Sequence, residues 1–404
     1  MERKKSAKNT VANRDIESRL AKVAPLVRGL LAEPSGNDDI PYHRVIVKSL
    51  THKEARDFAA SDKRDDLESC PVPLKRTEIP PLYVDALEYD ASAEELRKQL
   101  GAAIKGYFKT HGSKPQLVLL PGVGILYVEE TAKTGLPLEN EVALVTGAAG
   151  AIGSGICTAL LEKGCHVAAT DLPGKHLDSL VNELKEPAAD HIIGIGLDVT
   201  NRDSVTDGFN AVSRIWGGVD IVIANAGIPL IASLIEMDLD DFRKLEKVNV
   251  EGTLLTLSEA GRHLRLQGTG GDIVVISTKN VFAPGARFGA YSATKAAVHQ
   301  LGRIASLELA EFGIRVNMVA PDAVFSAGKR QSGLWQKIGP DRMRHKGIVD
   351  EKGLQEYYRN RNLLKARVTA QHVANAVLFF VTRQTPTTGV TIPVDGGLPD
   401  ATPR

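Results

Sequence analysis

Tyr291 and Lys295 stand four residues apart in Tyr291-Ser292-Ala293-Thr294-Lys295, a spacing that puts both side chains on one face of a helix. An ammonium beside a phenol favours its ionised form, so this pair could carry a proton to and from a substrate oxygen. A free phenol titrates near about 10, and a base useful at neutral pH needs that value lowered by about three, equivalent to about 4 kcal/mol. The second chemical signal is the turn Thr146-Gly147-Ala148-Ala149-Gly150-Ala151-Ile152-Gly153, which directly follows the apolar run Val142 to Val145. A strand feeding glycines into a helix gives a tight turn, close backbone approach to a pyrophosphate and a helix N-terminus whose free N–H groups favour the anion. Gly147, Gly150 and Gly153 supply this pattern.

Asp171 ends the next apolar run. A carboxylate there accepts hydrogen bonds from both adenosine ribose hydroxyls and repels a 2′-phosphate, so NAD is expected over NADP. Lys175 is the dissenting charge and reads as solvated. Asp198 and Val199 follow the third strand and are placed to meet the adenine; Asn225, Ala226 and Gly227 follow the fourth, with small residues where backbone must pass close to a cofactor. Their alternatives are an ordinary helix cap and an ordinary strand end.

The elements that must position these residues begin at Val142. Strands are expected at Val142 to Val145, Val167 to Thr170, Ile192 to Leu197, Ile221 to Ala224, Ile273 to Ile276, Val316 to Ala320 and Val390 to Val394. They alternate with helical stretches, which predicts an α/β fold with a doubly wound, seven-stranded parallel Rossmann sheet over residues 142–404. Upstream lies a smaller α/β appendage over residues 16–128. It has helical spacing from Ile16 to Leu31, a strand from Arg44 to Leu50, a capping box at Thr51 and Glu54, and a second at Ser92 and Glu95. That second box opens a helix through Leu96, Leu100, Ile104, Tyr107 and Phe108, and Gln116 to Leu120 reads as a buried strand. Residues 1–15 read as a frayed, disordered basic tail rather than a signal peptide, and 129–141, broken by Gly135 and Pro137, as the linker.

Composition narrows the function classes. The 404 residues carry 50 basic and 49 acidic side chains, a net charge of +1, which offers no global attraction to nucleic acid or an anionic membrane. No apolar stretch approaches a membrane span; even Ala374 to Val381 stops at Thr382. Cys70, Cys157 and Cys165 are too few and scattered for a disulfide framework, which suits a reducing cytoplasm. Small-molecule chemistry is the expectation.

Taken together, Thr146 to Gly153, Asn225-Ala226-Gly227, Asn249 within Val248-Asn249-Val250-Glu251-Gly252, and Tyr291 with Lys295 resemble the short-chain dehydrogenase/reductase family over about Val142 to Gly397. The resemblance implies an NAD-linked oxidoreductase with Tyr291 as acid and base, Lys295 also holding the nicotinamide ribose, and Asn249 positioning a water in the proton path. Thr278 takes the position of the family's serine, to hydrogen-bond the reacting oxygen, although Ser277 next door is an alternative donor. Ala151 stands where the family's middle glycine falls and could crowd the pyrophosphate, beside Ile152. Pro321-Asp322 replaces Pro-Gly, and Val324 and Ser326 match the positions that meet the nicotinamide amide. The resemblance also implies a homotetramer formed through helices that include the one carrying Tyr291.

Ser277 to Ala283, Tyr357 to Lys365 and Val394-Asp395-Gly396-Gly397 are similar to bifunctional rhamnulose-phosphate aldolase/alcohol dehydrogenase proteins. Leu67 to Pro71 and Val118 to Gly124 are similar to the region between the two activities. That implies a truncated aldolase remnant at the N-terminus and a sugar, polyol or small hydroxyaldehyde as substrate. Aldolase chemistry of that class needs several metal-bound histidines; His43, His52 and His111 are isolated, so no metal is expected. Lys279 and Asn280 are candidate substrate contacts, and Lys279 with the polar stretch Lys329 to Lys346 could hold a phosphate or carboxylate. Asp322 to Arg367 is the expected lid. The competing functional class is a noncatalytic NAD-binding scaffold or sensor.

Overall fold

The seven apolar runs pair as one parallel sheet in this computed structural model, which describes residues 2–62, 69–72, 80–130, 134–188, 190–328 and 330–401, with the side chains of 2–13 and 187 excepted. In chain order its strands are β1 (Val142–Thr146), β2 (His166–Asp171), β3 (Ile192–Gly196), β4 (Ile221–Ala224), β5 (Gly271–Ile276), β6 (Ile314–Pro321) and β7 (Thr391–Val394). They lie in the order β7-β6-β5-β4-β1-β2-β3, with registers such as Val142 opposite His166 and Ile221 opposite Ala143. The order turns back between β1 and β4. There the connections on either side diverge and leave a crevice at the carboxyl ends of the strands.

Side-chain alternation assigns the two faces. Val274 and Ile276 of β5 and Val319 of β6 join a core with Ile156, Leu160, Val373, Val377 and Phe380, from the helices Ala151–Glu162 and Ala370–Val381. Their neighbours Val275 and Met318 face Gly302 of the helix Gly289–Glu308, where an added methyl would sit 3.1 Å from the Met318 sulfur. The Lys- and Arg-rich residues 322–367, the anticipated lid, include the helices Gly333–Lys346 and Glu351–Asn360. Lys329, and the 67–68 and 131–133 parts of the segments discussed above, lie outside the described residues.

The chain divides into two compact units: residues 134–208, 220–261 and 270–404, which contain the parallel sheet, and residues 1–133, 209–219 and 262–269. The second has a four-stranded mixed sheet, Val47–Leu50, Gly124–Val128, Leu117–Leu120 and Leu82–Tyr83 in spatial order. Its core draws Leu20, Val23 and Val27 from one helix and Leu96, Leu100 and Ile104 from another. Arg28, buried with these residues, donates from Nε to the Val45 carbonyl at 2.7 Å and from Nη1 to Gln267 Oε1 at 3.0 Å.

Three local expectations differ from this unit. The first helix runs Glu2–Leu31, through the stretch read as a frayed tail; its Lys, Arg, Glu and Ala residues are good helix formers that can propagate a helix nucleated further on. His52, not Thr51, caps the helix Lys53–Ala60, because the helix starts one residue later and the Ala55 N–H meets His52 Nδ1 at 3.4 Å. Ser92 does cap Ala93–His111, accepting from the Glu95 N–H at 3.1 Å, but Phe108 is half exposed. In the anticipated linker, Leu138 is buried in the core of the parallel-sheet unit.

Asp272, at the start of β5, is the most demanding ion pair of the sheet. Buried to 3% exposure, it accepts from Arg315 at 2.6 Å and from Arg383 Nε at 2.9 Å. Removing it leaves two desolvated guanidinium groups without their carboxylate. Asp272→Ala is expected to cost about 3–5 kcal/mol of stability, seen as a lower urea midpoint at an unchanged slope.

Candidate functional site

Thr146, the last residue of β1, builds the phosphate-type turn from below. Its hydroxyl oxygen accepts from the backbone N–H of Asn225 at 3.0 Å and of Ala226 at 3.1 Å. Asn225 answers by donating from Nδ2 to the carbonyls of Thr146 and Gly147, both at 2.9 Å. Gly147 takes φ +62°, and a Cβ there would lie 2.8 Å from the Ala226 Cα, so only glycine fits. At Gly153 a Cβ would come within 2.3 Å of the Gly147 carbonyl oxygen, which makes glycine a condition of the helix approaching the turn.

Gly150 is different. A Cβ there would meet nothing nearer than the Gly147 oxygen at 3.5 Å, so packing does not demand glycine, yet the residue caps the helix Ala151–Glu162 and opens onto the cleft. A bare helix N-terminus beside unfilled space is the donor set a dinucleotide pyrophosphate requires. Ala151 is only 4% exposed, so its methyl is largely covered. Ile152, Asp171, Asp198, Val199, Asn225, Ala226 and Gly227 line the same cleft, a cavity of about 590 Å³. Asp171 is fixed at its edge by the N–H groups of Ala149 at 2.9 Å and Leu172 at 2.8 Å. Asp198 turns its carboxylate onto Thr200, at 2.9 Å to the N–H and 2.8 Å to the hydroxyl; the Ser204 N–H goes to Asn201 instead. The residues present therefore fit a dinucleotide.

The reactive end of the cleft is formed by Tyr291 and Lys295 on the helix Gly289–Glu308 and by Thr278 beyond β5. Ser277 shares the face of Val275, and its hydroxyl lies 3.1 Å from His299 Nδ1. His299 Nε2 in turn lies 3.3 Å from the Thr391 hydroxyl. Thr278 points the other way and hydrogen-bonds the Tyr291 phenol. Alternation along the chain thus decides between the two hydroxyls, which the residue types left open.

Asn249 is fully buried in a π-helical turn, Lys247–Glu251, the wide-turn irregularity often found at working sites. Its Oδ1 accepts from the Ile228 N–H at 2.9 Å, and its Nδ2 donates to the Ile228 carbonyl at 3.1 Å and to Thr294 Oγ1 at 3.2 Å. Between Asn249 and the cleft lies Gly227, where a Cβ would stand 3.2 Å from Asn249 Oδ1 and 3.4 Å from Lys295 Nζ. Lys295 donates to the Ile276 carbonyl at 2.9 Å, and burial pushes its pKa down to about 8.

The electrostatics of Tyr291 depart from the sequence expectation. Burial pushes the phenol up to about 12, and the Thr278 hydrogen bond works against this without overcoming it. The protein's own groups therefore keep the phenol protonated at neutral pH. A neutral phenol is the form that burial favours.

Pro321, at the end of β6, and Val324 line the cleft. Ser326 does not; it pairs with Gln331 and lines a neighbouring cavity of about 160 Å³. Lys279 and Asn280 line the far end. With them stand Phe288, which the sequence did not mark, Arg342, marked there only as part of the polar stretch Lys329 to Lys346, and Tyr358 and Arg361, marked only within Tyr357 to Lys365. Nothing in their spacing marks them, since the last three come from two helical segments of the lid. Among the described residues no group of three or more His, Cys, Asp and Glu side chains is gathered as metal ligands would be. No helix among them is long and apolar enough to cross a membrane.

Comparison with known proteins places these residues in a wider setting. Residues 141–337 match the family model described as short chain dehydrogenase. The uncharacterized oxidoreductase SA2266 of Staphylococcus aureus (strain N315) is 34% identical over 190 residues, covering 47% of this chain and 80% of that protein. The uncharacterized oxidoreductase YuxG of Bacillus subtilis (strain 168) is 26% identical over 456 aligned residues, 95% of this chain; the match spans only 64% of that protein's length. Among solved structures, sorbitol-6-phosphate 2-dehydrogenase SrlD of Erwinia amylovora superposes with a TM-score of 0.59 at 28% identity, covering 63% of this chain and 98% of that one.

The two glycines of the turn separate fold from binding. Gly147→Ala is expected to lose more than about 1 kcal/mol of stability, because a positive φ and a close backbone are both violated. Gly150→Ala should keep its thermal midpoint yet weaken the reduced nicotinamide dinucleotide about tenfold, one step of about 1.4 kcal/mol, in a fluorescence titration. A Gly150→Ala protein that binds that dinucleotide as tightly as the parent would contradict the cofactor placement.

Proposed function

Because the chain belongs to the short chain dehydrogenase family, and is an oxidoreductase of that type, we propose that it uses NAD to interconvert a hydroxyl and a carbonyl on a sugar, polyol or small hydroxyaldehyde. The observation that carries this reading is the meeting of Tyr291, Thr278 and Lys295 in the cleft that the glycine turn and Asp171 also line. NAD over NADP is supported by the fixed Asp171 carboxylate, while Lys175 is exposed and outside the lining. The substrate class is supported by the Erwinia relative, whose name gives it a sugar-alcohol phosphate.

When bound, the nicotinamide supplies the hydride acceptor or donor. Thr278 holds the substrate oxygen next to the phenol. In carbonyl reduction Tyr291, protonated at neutral pH, gives its proton to that oxygen; in alcohol oxidation the same phenol must take it back. Lys295 is cationic below about 8 and stands ready to hold a ribose hydroxyl. Asn249 locks Ile228 to the helix that carries both residues.

The N-terminal unit is read as an aldolase-like remnant. The alignment with YuxG is longer than this chain, so that relative carries residues inside the matched region that are lacking here. A homotetramer is supported by Ile304 and Leu307, exposed apolar residues on the helix of Tyr291. Three free cysteines support a cytoplasmic setting.

NADH formation from NAD with a panel of polyols, sugars and hydroxyaldehydes tests the core of this reading. Tyr291→Phe should lower kcat by about 10²–10⁴ while NADH affinity stays; full activity in this variant would refute the assignment. Thr278→Val should lower kcat by about tenfold or more, and Ser277→Ala by much less, since a lost charge-adjacent hydrogen bond is worth about 1.5–3 kcal/mol. The rate of carbonyl reduction should be level through neutral pH and fall above about 8, where Lys295 loses its proton. A profile that breaks instead near pH 6 would assign the critical titration to another group.

A further inference from the structure

Beyond Tyr291 the cleft wall changes character. Lys279, Arg342 and Arg361 line it together, and the carboxylate among them on that wall is Asp322. Asp322 is committed to Arg361, which reaches it from both Nε, at 3.3 Å, and Nη2. Asp400 is close enough for Lys279 to feel but is not part of the wall. Three cations facing one carboxylate in a largely desolvated pocket are costly unless something negative joins them.

Arg342 shows the deficit most directly. It is 8% exposed, and its Nε is buried without a hydrogen-bond partner. Its guanidinium centre stands 5.1 Å from the centroid of the Phe288 ring, and that of Arg361 stands 4.1 Å from the Tyr358 ring. The rings brace the two forks, and the Tyr358 phenol also takes a hydrogen bond from Arg342, which leaves the buried Nε as its unused donor. Lys279 spends one proton on the Ala283 carbonyl at 3.0 Å. Burial first, then Arg361 and Arg342, push its pKa down to about 8, the sign expected where like charges crowd an ammonium.

The cluster also has a definite place relative to the chemistry. Phe288 carries Arg342 on its face and meets the Tyr291 ring edge-on, with centroids 6.2 Å apart. Lys279 directly follows Thr278, whose hydroxyl bonds the phenol. One aromatic ring therefore separates the proton-transfer group from the cations.

We propose that this end of the cleft binds an oxyanionic terminal group of the substrate, held by Arg342, Arg361 and Lys279 a few bonds from the reacting carbon. The assignment rests on the dehydrogenase reading for which carbon reacts, but the anion site stands on its own geometry. A phosphomonoester carries about −1.5 to −2 at neutral pH, which matches the excess of the three cations over Asp322; a carboxylate offers the same bidentate oxygen pair with less charge.

The test compares kcat/KM of the NAD-bound enzyme for a neutral polyol or hydroxyaldehyde, its phosphomonoester and its carboxylate counterpart, in the parent, Arg342→Gln and Arg361→Gln. The phosphomonoester should lead the neutral compound by about a hundredfold, and Arg342→Gln should narrow that ratio at least tenfold. A lead by the carboxylate, narrowed in the same way, supports the site with the smaller anion as its occupant. Tyr291-dependent turnover with no advantage for either anion overturns the site and leaves the dehydrogenase standing. Inorganic phosphate adds a binding readout on the parent that needs no turnover. It should raise the thermal midpoint of the parent NAD complex and compete with the substrate. If no alcohol or carbonyl turns over while phosphate still protects the parent and not a folded Arg342→Gln, the anion site holds and the dehydrogenase reading fails; if phosphate neither protects nor competes, the site is overturned.

Discussion

Thr146 and Asn225 tie the carboxyl ends of two adjacent strands together, and the rest of the site is built on that tie. The hydroxyl of one takes two backbone N–H groups from the other strand's end, while the amide of the other closes on the glycine turn. These hydrogen bonds are partly buried, so leaving one unmade carries a desolvation cost. The consequence is geometric. With the turn pinned, Gly227 falls between the cleft and Asn249, and its lack of a side chain lets Asn249 Oδ1 and Lys295 Nζ crowd behind it. Asn249 then links Ile228 to Thr294 on the helix of Tyr291. One continuous set of polar contacts thus runs from the glycine turn to the helix that carries Tyr291. That continuity explains why an irregular π-turn is tolerated at 247–251.

Burial governs the chemistry of this set more than pairing does. It pushes Tyr291 up to about 12 and Lys295 down to about 8, so both are drawn towards their neutral forms. A neutral phenol is a ready acid towards a carbonyl oxygen. For it to work as a base, positive charge must be added nearby, and in the proposed reaction oxidised NAD brings that charge together with the hydride acceptor. The phenol's two roles would then follow the state of the cofactor. At the other end of the cleft the imbalance runs the opposite way, with Arg342, Arg361 and Lys279 facing Asp322. The cleft therefore holds fixed carboxylates at the Asp171 end and surplus cations at the Lys279 end, an asymmetry that would orient a substrate as well as bind it.

The second unit contributes a different kind of stability. Its helices and mixed sheet enclose their own apolar core, and Arg28 is buried there because Val45 and Gln267 satisfy it. A buried guanidinium with good partners suits a folded module rather than a loosely attached extension. None of the isolated histidines in this part is joined with others into a metal-ligating group among the described residues.

Much of this was legible from residue order because it depends on short-range rules. All seven strands, the parallel arrangement, the glycine turn, Asp171 and the Tyr291–Lys295 spacing follow from periodicity, Gly placement and helix geometry, which act over a few residues. The choice of Thr278 over Ser277 required knowing which face of β5 meets His299. The position of Ser326 outside the main cleft depended on the path of the chain beyond β6. The high phenol pKa reflects how deeply Tyr291 is desolvated, and the cation cluster gathers residues 279, 342 and 361 from separate segments. The sequence by itself therefore determined the architecture, the glycine turn after the first strand and the four-residue spacing of Tyr291 and Lys295. Only the tertiary structure decided which hydroxyl faces the phenol, how the phenol is charged and what shares the far end of the cleft, because desolvation and long-range proximity are properties of the packed chain and have no period along it.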